Sequence, residues 1–166
     1  MVEGTYIVIE NLNKFGNDFR KQVEINFRKA AEVLKEKIKK NASVVDVHTR
    51  VWLAKNNFPY AARHGSIQIH KDKPYIVHHL TGSLEESITL VESIKESELF
   101  WYIFPDESKA PHAKYVIIGT KTLIGRNFLG GTLAESHDLI FDIIRGTAKG
   151  VGNIKPLKQV ILERKL

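Results

Sequence analysis

Hydrophobic residues recur every three or four positions between residues 17 and 40, which is the spacing of one face of an α-helix. The apolar stripe consists of Phe19, Val23, Phe27, Ala30, Ala31, Leu34 and Ile38. Basic residues fall mostly off this stripe, at Arg28, Lys29, Lys35, Lys37, Lys39 and Lys40. We therefore predict a long amphipathic helix with a solvated basic face, an interpretation that we favour over a DNA-contacting patch.

Runs of β-prone residues predict strands in two parts of the chain. Residues 5–9 read Thr-Tyr-Ile-Val-Ile, which predicts a short first strand or an extended arm. Residues 88–94 and 99–104 are also β-rich, and the charged segment between them predicts an antiparallel hairpin. Neighbouring residues of a strand point to opposite faces, so we expect one of Trp101 and Tyr102 in the core and the other at the surface or an interface.

Capping-box spacings predict two helix starts in the second half of the chain. Ser83 and Glu86 have this spacing, as do Thr132 and Glu135. In a capping box each residue of the pair satisfies a free backbone N–H group of the other. The first pair predicts a short helix within residues 81–88, and the second pair predicts the start of the last helix.

The last helix is amphipathic and has clear boundaries in the sequence. Its apolar stripe consists of Leu133, Ile140, Ile143, Ile144 and Thr147. The Gly-Gly pair at residues 130–131 predicts a tight turn ahead of it, since no Lys-Ser/Thr pair follows to suggest an anion site. Arg145, Lys149 and Gly150 mark its end. We expect Gly146 to weaken the final turn.

Four other segments have weaker patterns. Residues 44–58 suggest a second, shorter helix, which Pro59 would stop. Residues 60–80 show little periodicity. A segment of this length is long for a loop, so we expect a functional arm or a strand within it. Residues 111–119 fit either a helix or a strand. The basic tail at 154–166 fits a strand or an arm that docks on a neighbouring chain.

The composition describes a single domain of 166 residues, 43% of them hydrophobic, with a net charge of +6. A chain of this length buries about 70% of the surface that it exposes when unfolded. It contains no cysteine, so thiolate metal sites and disulfides are excluded. No apolar run approaches the roughly 18 residues of a membrane span, and the start lacks a signal-peptide pattern, so we expect no membrane association or secretion. The positive charge is too modest to identify a nucleic-acid reader.

These patterns together predict the fold class. We expect one α+β domain over residues 1–166, with a long N-terminal helix and a C-terminal helix packed on a central antiparallel β-sheet. The segments at 60–80 and 154–166 are the predicted interaction arms. No repeat or linker divides the chain.

The sharpest enzymatic candidate is His112 with Lys114, followed downstream by residues 125–127, Gly-Arg-Asn. Phospholipase D-type nucleases pair a nucleophilic His with a phosphate-binding Lys two residues later. Here Gly119 stands where that motif needs an acid, so no carboxylate would fix the tautomer and geometry of the histidine. We therefore prefer a structural interpretation of these residues and keep a small phospholipase D-like nuclease as the alternative function. A basic nucleic-acid-binding accessory protein is a third.

The remaining candidate chemistry is a metal site. The densest histidine group consists of His64, His70, His78 and His79. Adjacent histidines point to opposite faces of a strand and diverge on a helix, and no His-Glu-x-x-His spacing occurs. The carboxylate pairs at 85–86 and 106–107 fall in a predicted helix start and a turn, where acids are common. We expect no catalytic, cofactor-binding or metal-binding residue.

Three segments of the second half resemble a known family. Residues 81–88 read Thr-Gly-Ser-Leu-Glu-Glu-Ser-Ile, residues 112–120 read His-Ala-Lys-Tyr-Val-Ile-Ile-Gly-Thr, and residues 126–129 read Arg-Asn-Phe-Leu. In order and spacing they resemble the Thr-Gly-x-Leu-x-x-Ser-Ile, Tyr-Ala-x-x-Val-Glu-x-Gly-Thr and Arg-Pro-Phe-Leu segments of the neck and tail-completion family of tailed bacteriophages. This group includes the minor tail protein Z of phage lambda. The chain departs from the pattern at Asn127, where the family has Pro, and at residue 117 or 118, where it has Glu.

The resemblance implies a structural virion protein without enzymatic activity. Members are expected to form a hexameric ring at the head-proximal end of the tail tube. Such a ring joins the tail tube or tail terminator to the head–tail connector and lets packaged DNA pass without sequence readout. It would be assembled in the cytoplasm of the host bacterium and then reside in the virion. The arms at 60–80 and 154–166 would reach adjacent subunits.

Overall fold

The computed structural model of the chain describes residues 5–9, 17–44, 73, 75–77, 82–95, 98–121 and 124–151. Within this part of the chain the elements are, in order, β1 (Thr5–Ile9), α1 (Asn17–Ala42), α2 (Ser83–Ser87), β2 (Ile88–Lys95), β3 (Glu98–Pro105), α3 (Ala113–Ile118) and α4 (Phe128–Arg145). The predicted α+β class, with a long first helix and a last helix, is confirmed.

The strands form an antiparallel sheet in the order β1-β3-β2. β2 and β3 pair along their full length, from Ile88 opposite Pro105 to Lys95 opposite Glu98. This confirms the predicted hairpin. β1 pairs with the other edge of β3, with Tyr6 opposite Tyr102. The first strand predicted at residues 5–9 is therefore present, and β3 is the central strand.

The two long helices pack together and cover one face of the sheet, where β3 places alternate side chains in the core. Trp101 is only 2% exposed, and its ring stacks on that of Phe27 of α1 with 5.7 Å between centroids. On the opposite face of β3 the rings of Phe100 and Tyr102 stack on each other at 6.0 Å. The predicted opposite placement of Trp101 and Tyr102 is confirmed.

The apolar stripe of α1 faces the core as its spacing predicts. Its buried members are Val23, Phe27, Ala30, Ala31, Leu34 and Ile38. One polar residue of the same face is also completely buried, since Asn26 is 0% exposed. The Asn26 amide accepts a hydrogen bond from Gln22 at 2.8 Å and donates one to the Ile144 carbonyl at 3.1 Å. Asn26 thus joins α1 to the last turn of α4.

The capping box predicted at the start of α2 is wrong. The N-cap residue is Gly82, and Ser83 is already the first residue of the helix. The Gly82 carbonyl accepts the first helical hydrogen bond, from the Glu86 backbone N–H at 2.9 Å, and no side chain caps this end. The predicted short helix itself is present.

The capping box predicted for the last helix is also wrong, because α4 begins one turn earlier. Asn127 is the N-cap, and its side chain accepts a hydrogen bond from the Gly130 backbone N–H at 2.9 Å. Thr132 lies inside the helix, buried, with its hydroxyl donating to the Phe128 carbonyl at 2.6 Å. Residues 130–131 are therefore helical, and the tight turn predicted for them does not occur.

Gly146 ends α4 instead of weakening it. Its φ of 76° places the residue in the left-handed region, where glycine avoids the steric penalty of a Cβ. Its backbone N–H bonds to the carbonyls of Asp142 and Ile143, which satisfies groups that the helix end leaves free. The last helical residue is Arg145, the first of the three predicted end markers.

Residues 111–119, which fitted two alternatives, contain the short helix α3. The other uncertain segments cannot be compared with the structure. Apart from residue 44, the predicted helix at 44–58 lies outside the described residues. Most of the arm at 60–80 and the arm at 154–166 also lie outside them. The same is true of the histidine group at positions 64, 70, 78 and 79.

Candidate functional site

The segments at 112–121 and 124–129 fold into one unit, which we call the motif unit. A bridge pairs Gly119 with Ile124, and the Arg126 backbone N–H donates to the Val116 carbonyl at 2.7 Å. Gly125 passes directly against the end of α3, because a Cβ at this position would lie 2.6 Å from the Ile118 carbonyl oxygen. Only glycine permits such an approach of the backbone. Two of the segments that carry the family resemblance are thus neighbours in space.

The inner side of the motif unit is anchored in the core. Ala113 and Phe128 are 0% exposed and Leu129 is 1% exposed. The third segment of the resemblance packs in the same core, because Leu84 and Ile88 are buried in one cluster with Ala113, Phe128 and Leu129. Next to it, the Asp106 backbone N–H donates to the Ser87 carbonyl at 2.8 Å. Two hydrogen bonds from Ser108, one from its hydroxyl and one from its backbone N–H, hold the pKa of Asp106 below its usual value. These contacts anchor the segment to the core.

The described residues of the predicted arm at 60–80 pack against this same chain. The Val77 backbone N–H donates to the Asn41 carbonyl, the Val77 carbonyl accepts from the Val44 N–H, and its side chain is buried. The Arg126 guanidinium reaches the Ile76 carbonyl at 3.4 Å. Residues 75–77 therefore tie the end of α1 to the motif unit.

A polar cluster fixes this segment to α4. The Glu135 carboxylate accepts hydrogen bonds from the Tyr75 hydroxyl at 2.5 Å and from the Lys73 ammonium. Both bonds lower the pKa of Glu135, and the bond from Lys73 has the larger effect. Burial, and then the hydrogen bond to Glu135, raise the pKa of Tyr75 to about 12. The Tyr75 ring lies where a Cβ at Gly131 would be, which explains a glycine inside the first turns of α4.

Two large hydrophobic side chains are exposed on the outer side of the motif unit. Ile118 is 75% exposed and Tyr115, one helical turn away, is 50% exposed. The Lys114 ammonium lies 5.0 Å from the centroid of the Tyr115 ring. We call Lys114, Tyr115 and Ile118 the α3 face. The large hydrophobic side chains that are exposed in the described part of the chain are Ile25, Val91, Tyr115, Ile118 and Phe141.

The structure places the two residues of the nuclease alternative at the surface. His112 is the N-cap residue of α3 and is exposed, and Lys114 points along the Tyr115 ring. Neither side chain hydrogen-bonds to a carboxylate among the described residues. Residues 125–127 are the other part of that motif. Gly125 contacts the end of α3, the Arg126 backbone N–H donates to the Val116 carbonyl, and Asn127 caps α4. Each has a structural role where it stands.

Half of the basic residues that the sequence places off the stripe of α1 form ion pairs. Arg28 bonds to Glu92 of β2 at 2.8 Å. Lys29 pairs with Glu32 at 3.5 Å. Lys39 pairs with Glu36 at 3.7 Å. Neighbouring acids thus neutralise part of the positive charge of this face. A phosphate-binding surface, in contrast, presents a run of cations without acids beside them.

Metal-binding and membrane-spanning features were searched over the residues that the structure describes. No group of three or more His, Asp or Glu residues could hold a metal ion there. No described helix has the length and apolar character that crossing a membrane requires.

Comparison of the chain with protein-family models, with curated proteins and with solved structures found no match. The fold and the surfaces of the molecule therefore supply the argument about function.

Sequence reasoning missed two features of this region. The exposure of Ile118 was signalled only by the departure from the family pattern at residue 117 or 118, where an apolar residue replaces Glu. The link between Tyr75 and Glu135 joins residues 60 positions apart, and no local pattern marks it.

Proposed function

We propose that this chain is a structural virion protein of the phage neck, a tail-completion component that joins the tail tube to the head–tail connector as an oligomeric ring. The observation that carries the proposal is the motif unit. Segments that resemble the family in sequence come together in space, where Phe128 and Leu129 are buried and the neighbouring Gly125 passes close to the end of α3. Their outer side carries an exposed apolar face.

The inner contacts support a scaffold rather than a reactive centre. Gly125 lies against the end of α3, and Phe128 and Leu129 are buried in the core. Asn127 stands where the family has proline, and it begins the last helix by capping it. A protein that acts through its surfaces needs rigid elements below those surfaces, and this arrangement supplies them.

The outer contacts support assembly with other protein chains. In the isolated chain the adjacent Tyr and Ile side chains are exposed to water. A complex in which another protein covers them is stabilised by the burial of that apolar surface. In the proposed ring the partners are other copies of the chain, the tail tube or tail terminator, and the connector. Packaged DNA would pass the ring without base contacts. The protein would be made in the host cytoplasm and remain in the virion neck.

The proposal is tested by co-expression with the proteins encoded next to it. We expect the tagged chain to co-purify with a tail-tube, tail-terminator or connector protein, and we expect Ile118→Asp to reduce that recovery. Ile25→Asp, which changes another exposed hydrophobic residue on a different helix, is the matched control. Neighbouring genes without any virion protein, together with no recovery of a partner, would overturn the proposal.

The two alternatives predict different outcomes with DNA. A nuclease would cleave plasmid DNA, in EDTA as well as with added metal, and His112→Ala would abolish the cleavage. A nucleic-acid-binding accessory protein would bind DNA with nanomolar affinity and a steep dependence on salt. A structural neck protein would do neither.

A further inference from the structure

We propose that the free edge of β2 binds an extended segment of another protein as an added strand, and that apolar residues alternate with glutamates in this segment. The inference goes beyond the neck proposal, since it does not depend on a ring. Three features support it: the free backbone groups of β2, the groove between β2 and α1, and the lysines that line this groove.

One edge of β2 pairs with nothing in the described part of the chain. In the strand order β1-β3-β2 it is an outer strand. Among the described residues, the backbone of residues 89–93 bonds to β3 alone. The N–H and C=O groups of such an edge bind an extended chain readily, because they have no other partner.

The hydrogen-bond ladder decides which residues present these groups. The Asp106 N–H donates to the Ser87 carbonyl at 2.8 Å, immediately before the first pair of β2 with β3. Hydrogen-bonded and non-hydrogen-bonded pairs alternate along an antiparallel ladder. Val91 therefore bonds to β3, whereas Leu90 and Glu92 direct their backbone groups to the free edge.

A groove runs beside this edge on the helical side of the sheet. Leu90 and Glu92 stand opposite Ile103 and Trp101, which are buried on the core face of β3, so their side chains lie on the same side as α1. The groove between β2 and α1 has a volume of about 680 Å³, and its apolar lining is Leu90 and Val33. A strand added to β2 would direct every second side chain into it.

The lysines of the groove outnumber its acids. The acids that line it among the described residues are both paired, Glu32 with Lys29 at 3.5 Å and Glu36 with Lys39 at 3.7 Å. The further lysines that line it have no acidic partner in the described chain, and they are Lys35, Lys37 and Lys40. Glutamate suits this groove, because its methylene groups cover the apolar lining while its carboxylate reaches a lysine.

The other face of the added strand would be apolar. The Val91 side chain points away from α1 and is 41% exposed. A residue opposite Val91 on an added strand lies beside it on the same face, so an apolar side chain there would cover it. Glutamate towards α1 and an apolar residue towards Val91 give the alternating pattern of the proposed segment.

Other occupants fit this edge less well. Antiparallel pairing of two β2 edges would bring the lysines of two α1 helices together, which is unfavourable. The phosphates of DNA would meet Glu32 and Glu36 in the groove, and DNA would leave the free backbone groups of Leu90 and Glu92 without an extended chain to pair with.

Two synthetic peptides of about eight residues test the inference. Val alternates with Glu in the first peptide and with Lys in the second. We expect the full chain to bind the acidic peptide at least about tenfold more tightly, measured by fluorescence anisotropy. At saturation the hydrogen exchange of the Leu90 and Glu92 amides should slow by about tenfold or more, because these N–H groups become hydrogen-bonded. Equal affinities, or protection only at other amides, would overturn the inference.

Glu92→Pro and Glu92→Thr form a matched pair of variants. Both remove the carboxylate and its bond to Arg28, but only proline removes the N–H that faces the free edge. We expect Glu92→Pro to bind the acidic peptide roughly three- to tenfold more weakly than Glu92→Thr does. Equal binding by the two variants would contradict main-chain pairing. The exchange measurement on the natural chain decides the question if Glu92→Pro does not fold.

Charge reversal and a DNA competitor separate a peptide from a nucleic acid. Lys37→Glu combined with Lys40→Glu should weaken binding of the acidic peptide roughly three- to tenfold. Lys21→Glu, on α1 outside this groove, is the control and should have no effect. A short DNA duplex should not displace the peptide. Displacement by DNA, with DNA binding lost in the groove variant, would assign these lysines to nucleic acid and overturn the inference. Either result leaves the neck proposal standing, because that proposal rests on the motif unit.

Discussion

Asn26 shows how much of the core depends on single polar side chains. It is completely buried between α1 and α4, and its amide is satisfied on both sides by Gln22 and the Ile144 carbonyl. Buried polar groups are costly unless they are paired, so the partners fix how the two helices meet. The hydrophobic period of the sequence located the stripe but not this residue, because its partner carbonyl lies 118 positions away.

We predict that Asn26→Ala destabilises the protein by about 1–3 kcal/mol, since it leaves the Ile144 carbonyl and the Gln22 amide without their buried partner. Urea unfolding of the two proteins measures the difference. Lys21→Ala, an exposed change on the same helix, is the control and should stay within about 0.5 kcal/mol of the natural protein. Equal stability of the two variants would contradict the role assigned to Asn26.

Tyr75 predicts a dependence of stability on alkaline pH. Its pKa is raised to about 12 in the folded state, from 10.0, so the unfolded chain loses the proton first as the pH rises. The contribution of Tyr75 is fully present below pH 10 and is lost as the pH rises toward about 12. At neutral pH Tyr75→Phe should cost about 0.5–1.5 kcal/mol through the bond to Glu135, and this cost should shrink across that window.

Unfolding in denaturant, repeated at several pH values, checks this prediction. Tyr102→Phe is the matched control for the loss of one tyrosine hydroxyl elsewhere on the molecule. A pH profile that the two variants share would show that the effect does not arise at Tyr75.

The elements were predictable where a pattern repeats along the chain. The period of α1 and the β-rich runs of β2 and β3 each involve several residues, so one exception does not hide them. Capping boxes consist of two residues only, and both predicted boxes were wrong. The N-cap residues of these helices are Gly82 and Asn127. Which residue becomes the N-cap depends on the path of the backbone that precedes the helix. Gly146 could have been recognised from the usual place of glycine after a helix.

At the scale of the element, we predict that Asn127→Ala destabilises the protein by about 0.5–2 kcal/mol, because the Gly130 N–H loses its acceptor. Asn127→Ser keeps an acceptor oxygen and should cost only a few tenths of a kcal/mol. Thermal and urea unfolding of the three proteins measures both values. If Ser cost as much as Ala, the side chain at this position would not be acting as a cap.

In the part of the molecule that the structure describes, two long helices pack on an antiparallel sheet, with the motif unit beside them. The class and the hairpin followed from the sequence, since local periods determine both. The apolar α3 face did not, because Tyr115, Ile117 and Ile118 look alike in the sequence and only packing separates the exposed pair from the half-buried Ile117. The proposed function depends on that exposed pair being covered in an assembly.

The measurement that tests the central proposal most directly is the mass of the chain by sedimentation, from micromolar to millimolar concentration, alone and with purified phage tails. The account predicts a closed assembly of several copies of the 18.9 kDa chain, expected to be six, in solution or on the tail end. A species of 18.9 kDa at every concentration that also fails to bind tails would contradict it.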